Sequence, residues 1–249
     1  MAVYAVSDLH GRGEAFREGL DRIGFGDADQ LYVIGDAIDR GDGGIRILQE
    51  IKERENMDLI IGNHEFMMLN SVDPYGSVDL GRDSTLWMYY NGGHHTYDPY
   101  IELSRQERKE LYQWLADRYV IKTVTVGERT FCLTHSNYDP AFENKRYSEM
   151  EYRDVWDMVW KSVYREEPET HSQDIYPEYP QYTFLTGHVP VMRARQTLGL
   201  PEEDFSILER GNLVNLDGGC AFGPDRGILC GALFLRLDDW ECFSVPLRK

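Results

Sequence analysis

Apolar and polar positions switch between two periods along the first 65 residues. Residues 2–6 form a short apolar run, and residues 13–23 then set Phe16, Leu20 and Ile23 at helical spacing. Residues 31–34 repeat the short run, residues 45–54 place Ile47, Leu48 and Ile51 together, and residues 59–61 form a third run before a helix opens at Glu65. Strands this short and continuously apolar, separated by helices, predict a parallel sheet covered on both faces. With right-handed crossovers, all three strands end on the same edge of that sheet.

Farther along, residues 70–118 read as a mostly helical insertion. Ser104 and Glu107 have the spacing of a capping box, and Leu111, Trp114 and Leu115 share a face behind it. Residues 119–126 and 129–134 predict a hairpin around Gly127-Glu128. Residues 155–163 have helical spacing, whereas residues 166–180 are acidic and proline-rich and read as a surface loop. Apolar runs at 184–185, 213–216, 228–237 and 243–245 predict further strands, grouped as a second sheet. No internal repeat interrupts the chain, and residues 1–249 are read as one domain.

Composition sharpens this picture in three ways. At 42% apolar and 12% aromatic the chain can bury a large core. A net charge of −17 argues against a nucleic acid or an anionic membrane as partner, because both require a positive field. It leaves room for a small phosphorylated substrate, since bound metal ions invert the local potential. Cys132, Cys220, Cys230 and Cys242 have no C-x-x-C spacing and read as reduced thiols. No export signal or membrane-length apolar run is present, so the expected location is the cytoplasm.

Chemistry enters at the strand ends. The three N-terminal strands run straight into Ser7-Asp8-Leu9-His10, Gly35-Asp36 and Gly62-Asn63-His64-Glu65. Ligand sites in open α/β sheets form at the carboxyl ends of strands, so these clusters converge. His135 follows the run at 131–133 and His188 follows the run at 184–185, repeating the pattern. Singly, an aspartate here reads as a turn residue. Together, Asp8, His10, Asp36, Asn63, His135 and His188 are polar groups at the ends of buried strands and must be paired with something. Carboxylate, imidazole and amide oxygen suit Mn, Fe or Zn. Asp36 is the natural bridge between two ions, and two ions roughly 3.5–4 Å apart can clamp a phosphate.

The motifs Asp8-x-His10-Gly11, Gly35-Asp36-x-x-Asp39-Arg40-Gly41 and Gly62-Asn63-His64-Glu65 resemble the signature of the calcineurin-like metallophosphoesterases. The Asp39-Arg40-Gly41 extension resembles the phosphoprotein-phosphatase branch, in particular the bacteriophage-type and bacterial serine/threonine phosphatases and the related symmetric diadenosine tetraphosphatases. The likeness runs from about residue 2 to about residue 235 and is weak between residues 70 and 130. It implies a single catalytic domain with a four-layer α/β/β/α sandwich and the metal site at strand C-terminal ends. It also implies two divalent ions, Mn foremost and Fe or Zn as alternatives. Asp8 and His10 would bind the first ion, Asp36 would bridge, and Asn63, His135 and His188 would bind the second. Many distant relatives carry another histidine two positions after the last of these; here Pro190 stands there, as in the narrower branch.

The same resemblance makes His64 a general acid oriented by Asp39, and Arg40 a phosphate ligand. It implies in-line attack by a hydroxide shared between the metals, with no phosphoenzyme. A second phosphate-binding cation is expected after a Trp-containing helix, where Lys161 and Arg165 are the candidates, although each reads equally as a solvated helix charge. Asn91, in Asn91-Gly92-Gly93, is a candidate substrate contact. His94, His95 and His171 read as surface residues, and Asp217-Gly218-Gly219-Cys220 as a turn near the site. The first functional reading is a phosphatase of phosphoserine or phosphothreonine proteins, with a small phosphoester as the other substrate type. The alternative is a dinucleoside polyphosphate hydrolase on the same metals. A catalytically dead scaffold would show a degraded ligand, and none is degraded.

Overall fold

The computed structural model describes residues 1–79, 81–163, 176, 178–201 and 205–248. Its first sheet is built on β1 (Val3–Val6), β2 (Gln30–Ile34) and β3 (Met57–Ile60), which pair in parallel. The connections are α1 (Gly13–Ile23) and α2 (Gly44–Glu53), and β3 runs on into α3 (Asn63–Ser71). The strands are continuously apolar because both faces are covered. Val3, Ala5, Ile34 and Ile60 point into one buried cluster. Their neighbours Tyr4, Val6, Leu31, Val33 and Leu59 pack in a second cluster with Phe16, Leu20, Ile47, Leu48 and Ile51 from the helices.

The second sheet has the order β4 (Ile121–Val126), β5 (Arg129–Thr134), β6 (Tyr182–Thr186), β8 (Leu213–Asn215) and β7 (Leu208–Arg210). Strands β4 and β5 form the hairpin, and β5, β6 and β8 run parallel. Phe131, Leu133, Leu185 and Val214 from this sheet join the cluster shared with Val3, Ala5, Ile34 and Ile60, so the two sheets pack face to face. Helices cover the outer faces, which gives four α/β/β/α layers.

The C-terminal strands depart from the sequence reading. Strands β9 (Gly231–Arg236) and β10 (Cys242–Pro246) belong to the first sheet, where β9 lies antiparallel to β1. Alternation along a strand specifies its faces but not its partner. Phe234 faces α1 and stacks on Phe16 at 6.5 Å, while Leu235 enters the inter-sheet cluster. Ile228 and Leu229 precede the strand and are 43% and 58% exposed.

Between residues 70 and 118 lie α4 (Arg82–Thr85), a π-helical turn (Leu86–Tyr90), α5 (His94–Glu102) and α6 (Arg105–Ala116). The Glu107 N–H donates to Ser104 Oγ at 3.3 Å, and the Ser104 N–H donates to Glu107 Oε2 at 2.8 Å. Helix α7 spans Tyr152–Trp160, three residues N-terminal to the span read from the sequence, and α8 spans Val191–Thr197. His171 and most of the acidic loop lie outside the described residues. All four cysteines are free thiols. Among the described residues no helix is long and apolar enough to cross a membrane.

Candidate metal centre

The carboxyl ends of β1, β2, β3, β5 and β6 meet in one place, and the backbone there is unusual. Asp8, His10, Asp36, Asp39, Arg40 and His188 all have left-handed φ values, from 44° to 68°. For non-glycine residues this costs of order 1–3 kcal/mol each, and such strain collects at functional sites. It is held by a ladder in which Asp8 N–H donates to Gly35 O (3.1 Å), His10 N–H to Asp36 O (2.8 Å) and Gly11 N–H to Ala37 O (2.9 Å). Gly35 is itself at φ +75°, and a Cβ there would collide with the His135 ring; a Cβ at Gly187 would collide with Ser7 and Asp8.

Glu65 joins two of the strand ends. Its Oε2 accepts from the N–H groups of Asp36 (2.8 Å) and Gly62 (3.0 Å), and its Oε1 from that of Ala37 (2.8 Å). Burial, and then the nearby Asp36 carboxylate, push its carboxyl up to about 7. In the sequence Glu65 is one residue of the Gly62-Asn63-His64-Glu65 motif, with no role of its own. In the structure it locks the β2 turn onto the start of α3, placing Asn63 and His64 in the first helical turn.

Two groups of potential ligand atoms share Asp36. Asp36, His135 and His188 have ligand atoms within 4.8 Å of one another, as do His10, Asp36 and His64. His135 Nδ1 lies 3.1 Å from the Ile34 carbonyl, to which it donates in the tautomer that frees Nε2 for the centre. That Nε2 is 3.4 Å from Asp36 Oδ1 and 3.0 Å from Asn63 Oδ1. His188 places Nδ1 2.8 Å from the same Asn63 oxygen. On the other side, His10 Nε2 is 3.8 Å from Asp8 Oδ1 and 3.7 Å from Asp36 Oδ2. Asp8 is fixed by Ser7 Oγ and by the His188 N–H, which donates to Oδ2 at 3.0 Å. These contacts link all six residues expected as ligands into one cluster.

The donor set fits divalent cations. Asp8 and Asp36 are buried, and their close ionic partners are histidines only, with no lysine or arginine among the described residues. Burial, and then Asp217 and Asp36, hold the Asp8 carboxyl well above its usual range. Burial, with Asp36 adding to it, takes Asp217 up to about 7. Burial disfavours the His135 imidazolium, yet Asp36 and Asp8 raise it to about 10. Burial holds the His10 imidazole well below its ordinary value and takes that of His188 down to about 3, so both stay neutral and able to ligate. Asp8 and Asp36, with no lysine or arginine close by among the described residues, offer negative charge that a dication would neutralise. His10 Nδ1 is also buried without a hydrogen-bond partner.

Beside this cluster sits a second one with a different character. Asp39 is fully buried; its Oδ1 accepts from Thr96 Oγ1 (2.6 Å), and its Oδ2 accepts from Trp87 Nε1 (2.8 Å) and lies 2.6 Å from His64 Nδ1. The Asp39 N–H donates back to Thr96 Oγ1 at 2.9 Å. Burial opposes the charged form of His64, but Asp36 and Asp39 raise its pKa above the ordinary imidazole value. Trp87 and Thr96 come from residues 70–118, where the sequence points to Asn91, His94 and His95 but to neither of these two. The π-helical turn carries Trp87 inward, and such turns recur at functional sites.

A cavity of about 270 Å³ opens over both clusters, lined by His10, Asp36, Asn63, His64, His188 and Asp217 on its floor. Arg40 and Asn91 contribute one wall, with Arg40 Nη2 3.5 Å from Asn91 Oδ1. The second cation on the lining is Arg193 in α8. Lys161 is not on that lining; its ammonium is paired with Asp157 at 2.6 Å, one turn back. Arg165 lies outside the described residues. Arg193 stands three residues beyond Pro190, in a helix the sequence reading did not identify. His95 is tied to Asp42 at 2.6 Å and His94 is exposed; neither lines the cavity.

This arrangement has known counterparts. The family model for calcineurin-like phosphoesterases matches residues 1–217. The chain belongs to this family. A symmetrical bis(5'-nucleosyl)-tetraphosphatase of Nitrosomonas europaea is 37% identical over an alignment covering 99% of this chain and 98% of that relative. One from Nitrosospira multiformis is 32% identical over 144 residues, 57% of this chain and 46% of the relative, so this match spans about half of the relative's length. Among solved structures, a chain provisionally assigned as a diadenosine tetraphosphatase superposes with a TM-score of 0.61 at 17% identity, covering 99% of this chain and 94% of that one. At that identity the likeness is one of fold. Calcineurin-like phosphoesterases are dinuclear metal enzymes, and the clusters sharing Asp36 fit that stoichiometry.

Proposed function

We propose that the chain hydrolyses dinucleoside polyphosphates, cutting a phosphoanhydride bond to release nucleoside phosphates. The observation that carries this reading is the pair of guanidiniums, Arg40 and Arg193, on the cavity that holds the ligand cluster. A run of phosphates needs several cations, and a chain of net charge −17 supplies them at this point. The name of the N. europaea relative, aligned over nearly its whole length, supports the same substrate class.

In this reading Asp8, His10 and Asp36 would hold one divalent ion, and Asp36, Asn63, His135 and His188 would hold the other. Mn is expected first, and Fe or Zn satisfy the same donors. When bound, the ions neutralise phosphate charge and acidify water. Arg40 and Arg193 grip phosphate oxygens and stabilise the charge that develops on them. His64, protonated and held by Asp39 through Nδ1, aims Nε2 at the cavity and gives a proton to the departing oxygen. Thr96→Val tests that support because it keeps the shape and removes the hydroxyl. A drop in kcat of about 10- to 100-fold is expected, with metal content unchanged, as for other partners of site residues. Full kcat in this variant would refute the positioning role.

One observation favours a second reading, hydrolysis of phosphoserine or phosphothreonine in proteins. The His64–Asp39 pair is an acid suited to an alkoxide leaving group, which needs a proton far more than a phosphate does. Metal-reconstituted protein assayed on diadenosine tetraphosphate and on a phosphoserine peptide separates the two. Faster turnover of the dinucleotide is expected, and Arg193→Ala is expected to lower kcat/KM for it by about 10²- to 10³-fold. Faster turnover of the peptide would overturn the first reading and establish the second.

A further inference from the structure

A cavity of about 270 Å³ accommodates phosphates but lies below the size of ordinary nucleotide-sized pockets. Two larger clefts adjoin it, each through a different wall. One, of about 390 Å³, shares Trp160 and is further lined by Phe66, Leu86, Tyr152 and Trp156. The other, of about 420 Å³, shares Arg193 and Phe222 and is further lined by Met192, Gln196 and Leu229. Resting on the reading above, we infer that these clefts are the two nucleoside subsites, one base stacking on Trp156 and the other on Phe222, with the phosphate chain crossing the metal cavity.

Chemistry of the walls carries the assignment. Trp156 and Trp160 are one helical turn apart on α7, with near-parallel rings at 6.5 Å and 27°. Trp156 is 40% exposed, although a buried place is normal for an indole. Trp160 meets the His188 ring edge-on at 6.0 Å, so one side chain separates this cleft from the ligand cluster. In the other cleft the Arg193 guanidinium sits 5.9 Å from the Phe222 ring centroid. A cation above a ring, with an apolar floor and the Gln196 amide at the side, offers stacking together with polar contacts for a base edge. Two clefts of nearly equal volume, each sharing a wall with one phosphate cavity, match a ligand with a ring system at each end.

Holding both ends also fixes where the chain is cut. With each nucleoside seated, the middle of a tetraphosphate lies over the cavity. Water adds to one inner phosphorus, and the bond from that phosphorus to the central bridging oxygen breaks. The oxygen leaves with the bonding pair as the terminal phosphate of the second product. One water is consumed, its protons pass to the departing phosphate and to solvent, and two nucleoside diphosphates result.

The test uses Mn-loaded wild type, Trp156→Ala, Trp156→Phe and Phe222→Ala. Each alanine variant is expected to raise KM for diadenosine tetraphosphate by about 5- to 100-fold, the range for losing one stacked base. The rise is expected to exceed any change in KM for β-glycerophosphate, which has no ring, and Trp156→Phe is expected to restore most of it. Calorimetric binding of a non-hydrolysable dinucleotide analogue is expected to weaken in parallel, and the share of AMP plus ATP among the products is expected to rise. Unaltered dinucleotide KM and binding in both alanine variants would overturn the subsites and leave the proposed activity standing. So would an equal loss on β-glycerophosphate, or a rise in KM confined to a phosphopeptide. A wild type that does not cleave the dinucleotide at all would overturn both.

Discussion

Asp36→Asn is expected to bind fewer than two metal ions per chain and to lose activity by about 10³-fold or more. Asp36 is the residue common to both ligand groups. Its Oδ1 accepts from the His64 N–H at 3.0 Å and lies 3.4 Å from His135 Nε2, while its Oδ2 is 3.7 Å from His10 Nε2. One carboxylate oxygen thus serves each half of the centre, and an amide can offer an oxygen to only one. Loss of several kcal/mol of transition-state stabilisation, at 1.36 kcal/mol per decade, gives the expected rate effect. The side chain is nearly isosteric and its backbone stays pinned by Glu65, so far-UV circular dichroism is expected to match wild type. Metal analysis after gel filtration decides the matter. Two retained ions in Asp36→Asn would refute its place as the bridge.

His64→Ala is expected to separate from Asp36→Asn by keeping its metal. With both ions bound, its kcat is expected to fall by about 10²- to 10⁴-fold on a substrate with an alkoxide leaving group. On diadenosine tetraphosphate the loss is expected to be smaller, because a departing phosphate has a second pKa of about 6 and leaves readily without a proton. The geometry makes this a sharp test. His64 Nε2 is 3.8 Å from Asp36 Oδ2, close enough that His64 falls within one of the two potential ligand groups. Its Nδ1 is engaged by Asp39, which leaves Nε2 as the functional atom in either role. Loss of a metal ion from His64→Ala would make it a ligand and remove it as the acid. Equal loss of rate on both substrates would also remove the acid role.

How much of the centre was legible beforehand depended on whether a residue's position follows from local sequence. Asp8, His10, Asp36, Asn63, His135 and His188 each stand just past a buried strand, and parallel strands bring such ends together. Asp39, Arg40 and His64 could be named because they lie in the same short motifs. The 1–217 match shows that those motifs identified the family correctly. Substrate was less legible. The sequence put phosphoproteins first, and the names of the relatives favour dinucleotides.

What sequence alone determined, then, is the floor of the site: three βα units with apolar runs that end in the side chains of the candidate metal centre. Two short-range rules sufficed, the 2 and 3.6 periodicities and the shared edge of parallel strands. Tertiary structure decided the rest. Trp87 and Thr96 reach Asp39 across 48 and 57 residues of chain, and β9 returns to pair with β1 from the far end of the sequence. Arg193, on a short helix after Pro190, takes the wall where Lys161 was sought, because Lys161 is paired with Asp157 and does not line the cavity. Contacts over such separations leave no periodic trace, since each depends on how whole layers pack and not on the order of neighbouring residues.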